Sequence, residues 1–183
     1  MTLVVCFRGK DGIVLASDSR GTIGDPRGLT AINDTHRKLF QLSKYVGIVA
    51  FGQAELAAQM ITEIQNQLQP QHMHFGDVFQ KTREVVISRY EDWLKPIPMD
   101  RRQALGFILS GIEQDGASKM YYLVSALNFA PQLCTTGVAL GGVPQYATYL
   151  AHRLYNAEMT TKHLIPLAVY VISETATQDP KVG

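Results

Sequence analysis

Apolar residues come in short blocks over roughly the first fifty positions and then at helical spacing, and this switch predicts the order of elements. Thr2 to Phe7 is an apolar, valine-rich run. Gly9-Lys10-Asp11-Gly12 is a turn and Ile13 to Ser17 a returning run, together the pattern of a β-hairpin. Gly24-Asp25-Pro26-Arg27-Gly28 reads as a second loop. Lys38 to Leu42 alternates, and Tyr45 to Phe51 forms another apolar run across a short loop at Ser43-Lys44. From Gln53 to Leu68 the apolar positions Leu56, Met60, Ile61, Ile64 and Leu68 share one helical face, and Pro70 follows the stop. A second helix is expected to open at Asp77, to present Val78, Val85, Val86, Tyr90, Trp93 and Leu94, and to end at Pro96.

Strand patterns return at Ala104–Ile112, Met120–Ser125 and Leu133–Ala139, the first two joined by the turn Glu113-Gln114-Asp115-Gly116. The Gly141-Gly142-Val143-Pro144 segment leads into a third helix over Gln145–Asn156. Thr160 or Thr161 is placed to cap a fourth that runs to about Gln178. Pro166 lies inside that last helix and is expected to bend it or delay its start. Runs of strands separated by pairs of helices point to an α+β fold: a four-layer αββα sandwich of two antiparallel sheets, each covered outside by a helix pair. No repeat, low-complexity stretch or linker divides residues 1–183, so one domain is expected.

Composition narrows the function classes. The chain has 183 residues, 46% of them apolar, which is enough for a core. A net charge of +1 gives no electrostatic reason to bind nucleic acid or an anionic membrane. Charged residues make up only 18%, below the usual ~25%, as expected for a subunit that buries surface against other subunits. No apolar run reaches transmembrane length and the N-terminus lacks the features of a signal peptide. Cys6 and Cys134 read as two buried thiols of a cytoplasmic protein. Phosphate-binding glycine loops, a nucleophile elbow and zinc motifs are missing, so no cofactor or metal is expected. His72-Met73-His74 reads as a solvated interhelical loop, and His36, His152 and His163 are dispersed.

The candidate chemistry is at the N-terminus. Once Met1 is removed, which a small second residue normally permits, Thr2 carries a hydroxyl and a free α-amine. That amine has an ordinary pKa of ~7.7–8.0 and can act as base for its own hydroxyl. Three further segments accompany it: Asp11-Gly12-Ile13-Val14-Leu15-Ala16-Ser17-Asp18-Ser19-Arg20, Arg37-Lys38-Leu39-Phe40 and Gly47-Ile48-Val49-Ala50-Phe51-Gly52. With Thr2, they resemble the proteasome β-type family of N-terminal nucleophile (Ntn) hydrolases, which includes the bacterial peptidase HslV.

The resemblance implies the αββα fold, a last strand beyond Gly183 that this sequence lacks, and a self-compartmentalising threonine endopeptidase. It implies catalytic roles for Thr2 as nucleophile, Lys38 as the site cation, Asp18 as its acidic neighbour, Gly52 as an oxyanion donor through its N–H, and Asp179 as a second aspartate near the N-terminus. It further implies that Gly21, His36, Ala50 and Ala54 wall the specificity pocket; three small residues among these four suggest a roomy one. Peptides or unfolded proteins would be the substrates. Homo-oligomeric rings or stacked rings would be the assembly, and an ATP-dependent unfoldase the partner. Two departures matter: the glycine-rich turn Leu140-Gly141-Gly142-Val143 lacks the family's serine, and Val182 stands where the family has another. They keep open a catalytically silent ring subunit and an Ntn hydrolase of small amides.

Overall fold

The computed structural model describes residues 2–25, 28–68, 73–142 and 145–183. Met1, Pro26, Arg27, Pro70, His72, Val143 and Pro144, each used in the sequence reading, lie outside those residues. The strands are β1 (Leu3–Gly9), β2 (Gly12–Ser17), β3 (Gly21–Asp25), β4 (Gly28–Asn33), β5 (Leu39–Ser43), β6 (Val46–Gly52), β7 (Leu105–Ile112), β8 (Ser118–Val124), β9 (Gln132–Leu133) and β10 (Val138–Gly142). The helices are α1 (Ala54–Gln67), α2 (Phe75–Arg89), α3 (Gln145–Leu154) and α4 (Thr161–Gln178).

All strand pairs are antiparallel. One sheet has the order β10-β1-β2 and the other β5-β6-β7-β8-β9, with β3-β4 a separate ribbon. Period-two alternation in the central strands distributes the core among three layers. In β1, Leu3, Val5 and Phe7 face α3 and α4, while Val4 and Cys6 face the second sheet. In β7, Leu105, Phe107 and Leu109 face α1 and α2, while Ile108 joins the layer between the sheets. Burial on both faces explains why these strands read as continuous apolar runs rather than alternating ones. In the inter-sheet layer burial pushes the Cys6 thiol up to about 12, so it packs as an apolar group at neutral pH. No helix among the described residues is long and apolar enough to cross a membrane.

Four boundaries differ from the sequence reading. On either side of the loop expected at residues 24–28 lie two strands that the sequence reading does not name, β3 and β4, which pair through Gly21↔Asn33 and Thr22↔Ile32. The expected Leu133–Ala139 strand is two strands in two sheets: β9 pairs with β8, whereas β10 pairs with β1. Gly137, with φ of 81°, redirects the chain between them. Helix α2 begins two residues early, at Phe75, and gives way at Tyr90 to a π-helical turn through Leu94 instead of running on to Pro96. Helix α4 starts at Thr161 and continues through Pro166, so the proline does not delay it.

Ile108 is fully buried between the sheets. Ile108→Ala is expected to lower the unfolding free energy by about 2–5 kcal/mol through lost transfer energy plus a cavity. Urea titration checks this, and a loss under about 1 kcal/mol would show that the inter-sheet layer collapses to fill the void.

Candidate active site

One carboxylate organises the N-terminal end of the sandwich. Asp18 follows β2, and its main-chain N–H donates to the carbonyl of Leu3 at 3.0 Å, extending the β1–β2 ladder by one rung. Its Oδ1 accepts the Leu3 N–H at 2.8 Å and the Lys38 Nζ at 2.6 Å. The same oxygen thus anchors the chain directly after Thr2 and holds the ammonium. Lys38 lies just before β5, fixed because its carbonyl accepts the Ala50 N–H of β6 at 2.9 Å. A second Nζ proton goes to the Arg20 carbonyl at 2.7 Å, so two of three donors are committed to this frame.

Both charges are buried, the Lys38 side chain 3% exposed and that of Asp18 fully enclosed. Burial holds the Lys38 ammonium below the ordinary lysine range, and the hydrogen bond and charge of Asp18 oppose that drop. A buried ion pair of this kind is a weak source of net stability, yet removing one partner typically costs about 3–5 kcal/mol because the other charge is stranded.

Thr2, Lys38 and Gly52 line one cleft with His36, Ala50 and Ala54. Thr2 is itself mostly buried. Gly52 ends β6 with φ of 96°, in the left-handed region, and a Cβ there would overlap the carbonyl of Ala104. Only glycine lets the backbone turn here from the strand into α1, whose N-cap is the side chain of Gln53. The free volume of the cleft is about 20 Å³, close to that of a single water. The expected roominess is therefore absent in this conformation: Phe40, Phe51, Arg37 and Gln53 close around the small residues. Gly21 does not line the cleft; it backs His36, where a Cβ would come 3.2 Å from the His36 Cβ.

Asp179 is the candidate that the structure leaves apart. It caps the C-terminus of α4, and its Oδ1 accepts the Lys181 N–H at 2.9 Å. The segment it starts nonetheless returns to the site. Gly183 donates its N–H to Asp18 Oδ2 at 3.4 Å, and its carbonyl accepts the Ser19 N–H at 2.8 Å. Arg20 clamps this segment, donating Nη1 to the carbonyls of Pro180 and Val182 at 2.8 and 3.2 Å and reaching Asp34 with Nε at 2.7 Å. Val182, where the family has a serine, is fully buried in the layer beneath α3 and α4.

Gly142 is a site residue that sequence reasoning missed. It pairs with Leu3 across the β1–β10 ladder, has φ of 95°, and a Cβ on it would overlap the Thr2 carbonyl oxygen. The glycine-rich turn that lacks the family's serine thus includes a position where the backbone has no room for a side chain. The doubled glycine at positions 141 and 142 was the only available signal.

A family model described as "Proteasome subunit" matches residues 2–181. Among curated proteins, the proteasome subunit beta of Methanosphaera stadtmanae is 24% identical over 182 residues, spanning 100% of this chain and 82% of the relative. Among solved structures, the Anbu complex of Pseudomonas aeruginosa, described as a helical assembly, has a TM-score of 0.77 at 20% identity, covering 99% of this chain and 77% of that one. Anbu of Yersinia bercovieri, described as an ancestral beta-subunit, gives 0.78 at 16% identity, again covering 99% and 77%. At such identities the structural likeness establishes the fold, and the site must carry the chemistry.

Gly142→Ala is expected to destabilise the chain by at least about 1–3 kcal/mol, the typical cost of a non-glycine residue held in a sparsely populated backbone region. Thermal unfolding measures it; an unchanged midpoint would show that β10 shifts away from Thr2 without penalty.

Proposed function

The chain belongs to the proteasome subunit family, and we propose that it is a threonine-type peptidase subunit with Thr2 as the N-terminal nucleophile. The observation that supports this reading is the single oxygen of Asp18 that accepts both the N–H of Leu3, the residue next to Thr2 in the chain, and the Lys38 ammonium, with Thr2 and Lys38 lining the same cleft. Removal of Met1 frees the α-amine. The amine, its proton affinity held down by the nearby lysine charge, takes the Thr2 hydroxyl proton as the oxygen attacks a peptide carbonyl. A tetrahedral oxyanion forms and is met by the Gly52 N–H; one such donor contributes ~2.7–4 kcal/mol in acyl-transfer enzymes. The amine then gives its proton to the leaving nitrogen, the C–N bond breaks, and water hydrolyses the acyl ester. Lys38 lowers the pKa of the attacking hydroxyl by electrostatics and does not itself carry the proton. The reaction needs no metal or organic cofactor.

Specificity would be set where His36, Ala50 and Ala54 meet the cleft, with Gly21 placing the His36 ring. Asp179 would act at a distance, by starting the segment that reaches Asp18. A narrow cleft implies that Phe40 or Arg37 moves when a substrate side chain enters. Arg37 is exposed and lies over the Phe40 ring, with Cζ 4.8 Å from its centroid, so the two can swing together.

We further propose assembly into homo-oligomeric rings or stacked rings in the cytoplasm, with unfolded proteins or peptides as substrate and an ATP-dependent unfoldase as a fitting partner. Low charge content supports assembly, as does α4, which is apolar on both faces. Leu164, Ala168 and Val171 are buried, yet Ile165, Val169 and Tyr170 stand exposed on its outer side. A helix apolar all round is normally buried. A second reading, a catalytically silent subunit of the same assembly, is favoured by Gly142 and Val182, which supply no hydroxyl to the amine.

Thr2→Ala is expected to reduce cleavage of fluorogenic peptides by roughly a thousandfold or more with the assembly intact by sedimentation. Lys38→Ala is expected to lose at least tenfold. Full activity in Thr2→Ala would overturn the nucleophile assignment, and a Met1-free protein inert toward threonine-directed epoxyketones would establish the silent subunit.

A further inference from the structure

The cleft that holds Thr2 is one-sided in charge. His36, Arg37 and Lys38 line it, and among the described residues no carboxylate does. Lys38 is spent, because its ammonium is buried against Asp18 and donates to the Arg20 carbonyl. His36 is half-buried and tied through its main chain, whose N–H donates to the Ser19 carbonyl at 2.9 Å. The alanines at positions 50, 54 and 57 give the rest of the wall no polar side chain.

Arg37 is the cation left without a counter-charge. Its Nε donates to the Leu39 carbonyl at 3.0 Å, and its guanidinium lies over the Phe40 ring. One of five N–H donors is used, so the four on the two Nη atoms remain. Among the described residues no carboxylate forms an ion pair with it. Asp34, just before it in the chain, is held by the Arg20 guanidinium at 2.7 Å. Glu55, at the start of α1, accepts from the Gln53 side chain at 3.0 Å and does not line the cleft. The aromatic face orients the guanidinium at the cleft wall and leaves its in-plane donors open. Gln53 and Ala54 line the same cleft where α1 begins, so the positive end of that helix adds to the field.

We propose that this cleft selects peptides with an acidic side chain at the residue whose carbonyl Thr2 attacks, and that Arg37 is the specificity-determining cation. The free volume of about 20 Å³ admits such a side chain only when Arg37 and Phe40 swing outward together. A carboxylate that enters takes both Nη groups in a bidentate pair, while the guanidinium keeps its place on the ring. A neutral side chain of the same length has to open the same wall and gains no ion pair for doing so. The inference rests on the peptidase reading for the identity of the attacked bond; selective binding is expected whether or not turnover follows.

Calorimetry on the Thr2→Ala protein separates recognition from turnover. The probes are N-acetyl-alanyl-alanyl-glutamyl-alanine amide and its glutaminyl, leucyl and lysyl counterparts. The glutamyl peptide is expected to bind at least about tenfold more tightly than the isosteric glutaminyl one. Arg37→Met keeps an unbranched stem over Phe40 without the charge, and is expected to bring the glutamyl peptide down to the glutaminyl affinity. Arg37→Glu is expected to turn the preference toward the lysyl peptide. In the chain with Thr2 intact, kcat/KM for fluorogenic versions should follow the same order as the affinities. Equal binding of the glutamyl and glutaminyl peptides, no binding of any of the four, or a glutamyl preference that survives in Arg37→Met would overturn the proposal. Glutamyl-selective binding that Arg37→Met abolishes, with no cleavage by the Thr2-intact chain, would sustain the recognition and count against the peptidase reading alone.

Discussion

A single buried carboxylate oxygen holds the working end of this molecule together. Asp18 Oδ1 accepts from the main chain of Leu3 and from the Lys38 ammonium, two groups that come from different sheets. Neither charge could remain in so dry a place alone: an isolated buried ion is costly, and the pair is retained because each satisfies the other. Position follows from that necessity. The lysine cannot leave the carboxylate, the carboxylate is tied to β1, and β1 delivers Thr2 into the cleft that Lys38 lines. The usual claim that a buried salt bridge stabilises a fold is therefore of less use here than the claim that it fixes where two polar groups sit.

The remaining contacts make that geometry hard to alter. Gly142 brings β10 so close to Thr2 that no side chain fits, and Gly52 does the same on the far side of the cleft against Ala104. The segment after α4 closes over the other carboxylate oxygen, and Arg20 secures it while lending its own carbonyl to Lys38. Three distant stretches of the chain, at residues 3, 38 and 183, thus converge on Asp18. This is long-range order that local propensity cannot supply; it depends on the two sheets being packed face to face through Val4, Cys6, Val49 and Ile108.

Much of this could be read from the sequence because the determinants are local or patterned. The helical face of α1 was visible in Leu56, Met60, Ile61 and Ile64, and the first hairpin in the glycines around Lys10-Asp11. The αββα order followed from where the hydrophobic period changes. What escaped reading was set by tertiary context. The run from Leu133 to Ala139 reads as one strand, yet Gly137 inside it marks the point where the chain passes from one sheet to the other. The hairpin of β3 and β4 is hidden by glycine and proline that mark a loop equally well. The π-helical turn at Tyr90 is followed by a segment whose Lys95 and Ile97 carbonyls are collected by Arg102, a contact that no periodicity reveals. At the candidate site, residue types single out Thr2, Asp18 and Lys38, whereas the close approach of Gly142 to Thr2 is an absence of atoms, visible only in three dimensions. Asp179 was singled out by its place in the sequence, but the contact with Asp18 is made by Gly183.

The most direct test is to titrate the Lys38 ammonium by nitrogen NMR in the intact chain and in Asp18→Asn. With the carboxylate present, its charge and hydrogen bond resist the drop that burial imposes. Removing the charge while keeping the shape should send the Lys38 pKa further down, so that the ammonium loses its proton at lower pH than in the parent. An unchanged titration would mean that Asp18 does not hold the cation, and that the lysine keeps its place for some other reason.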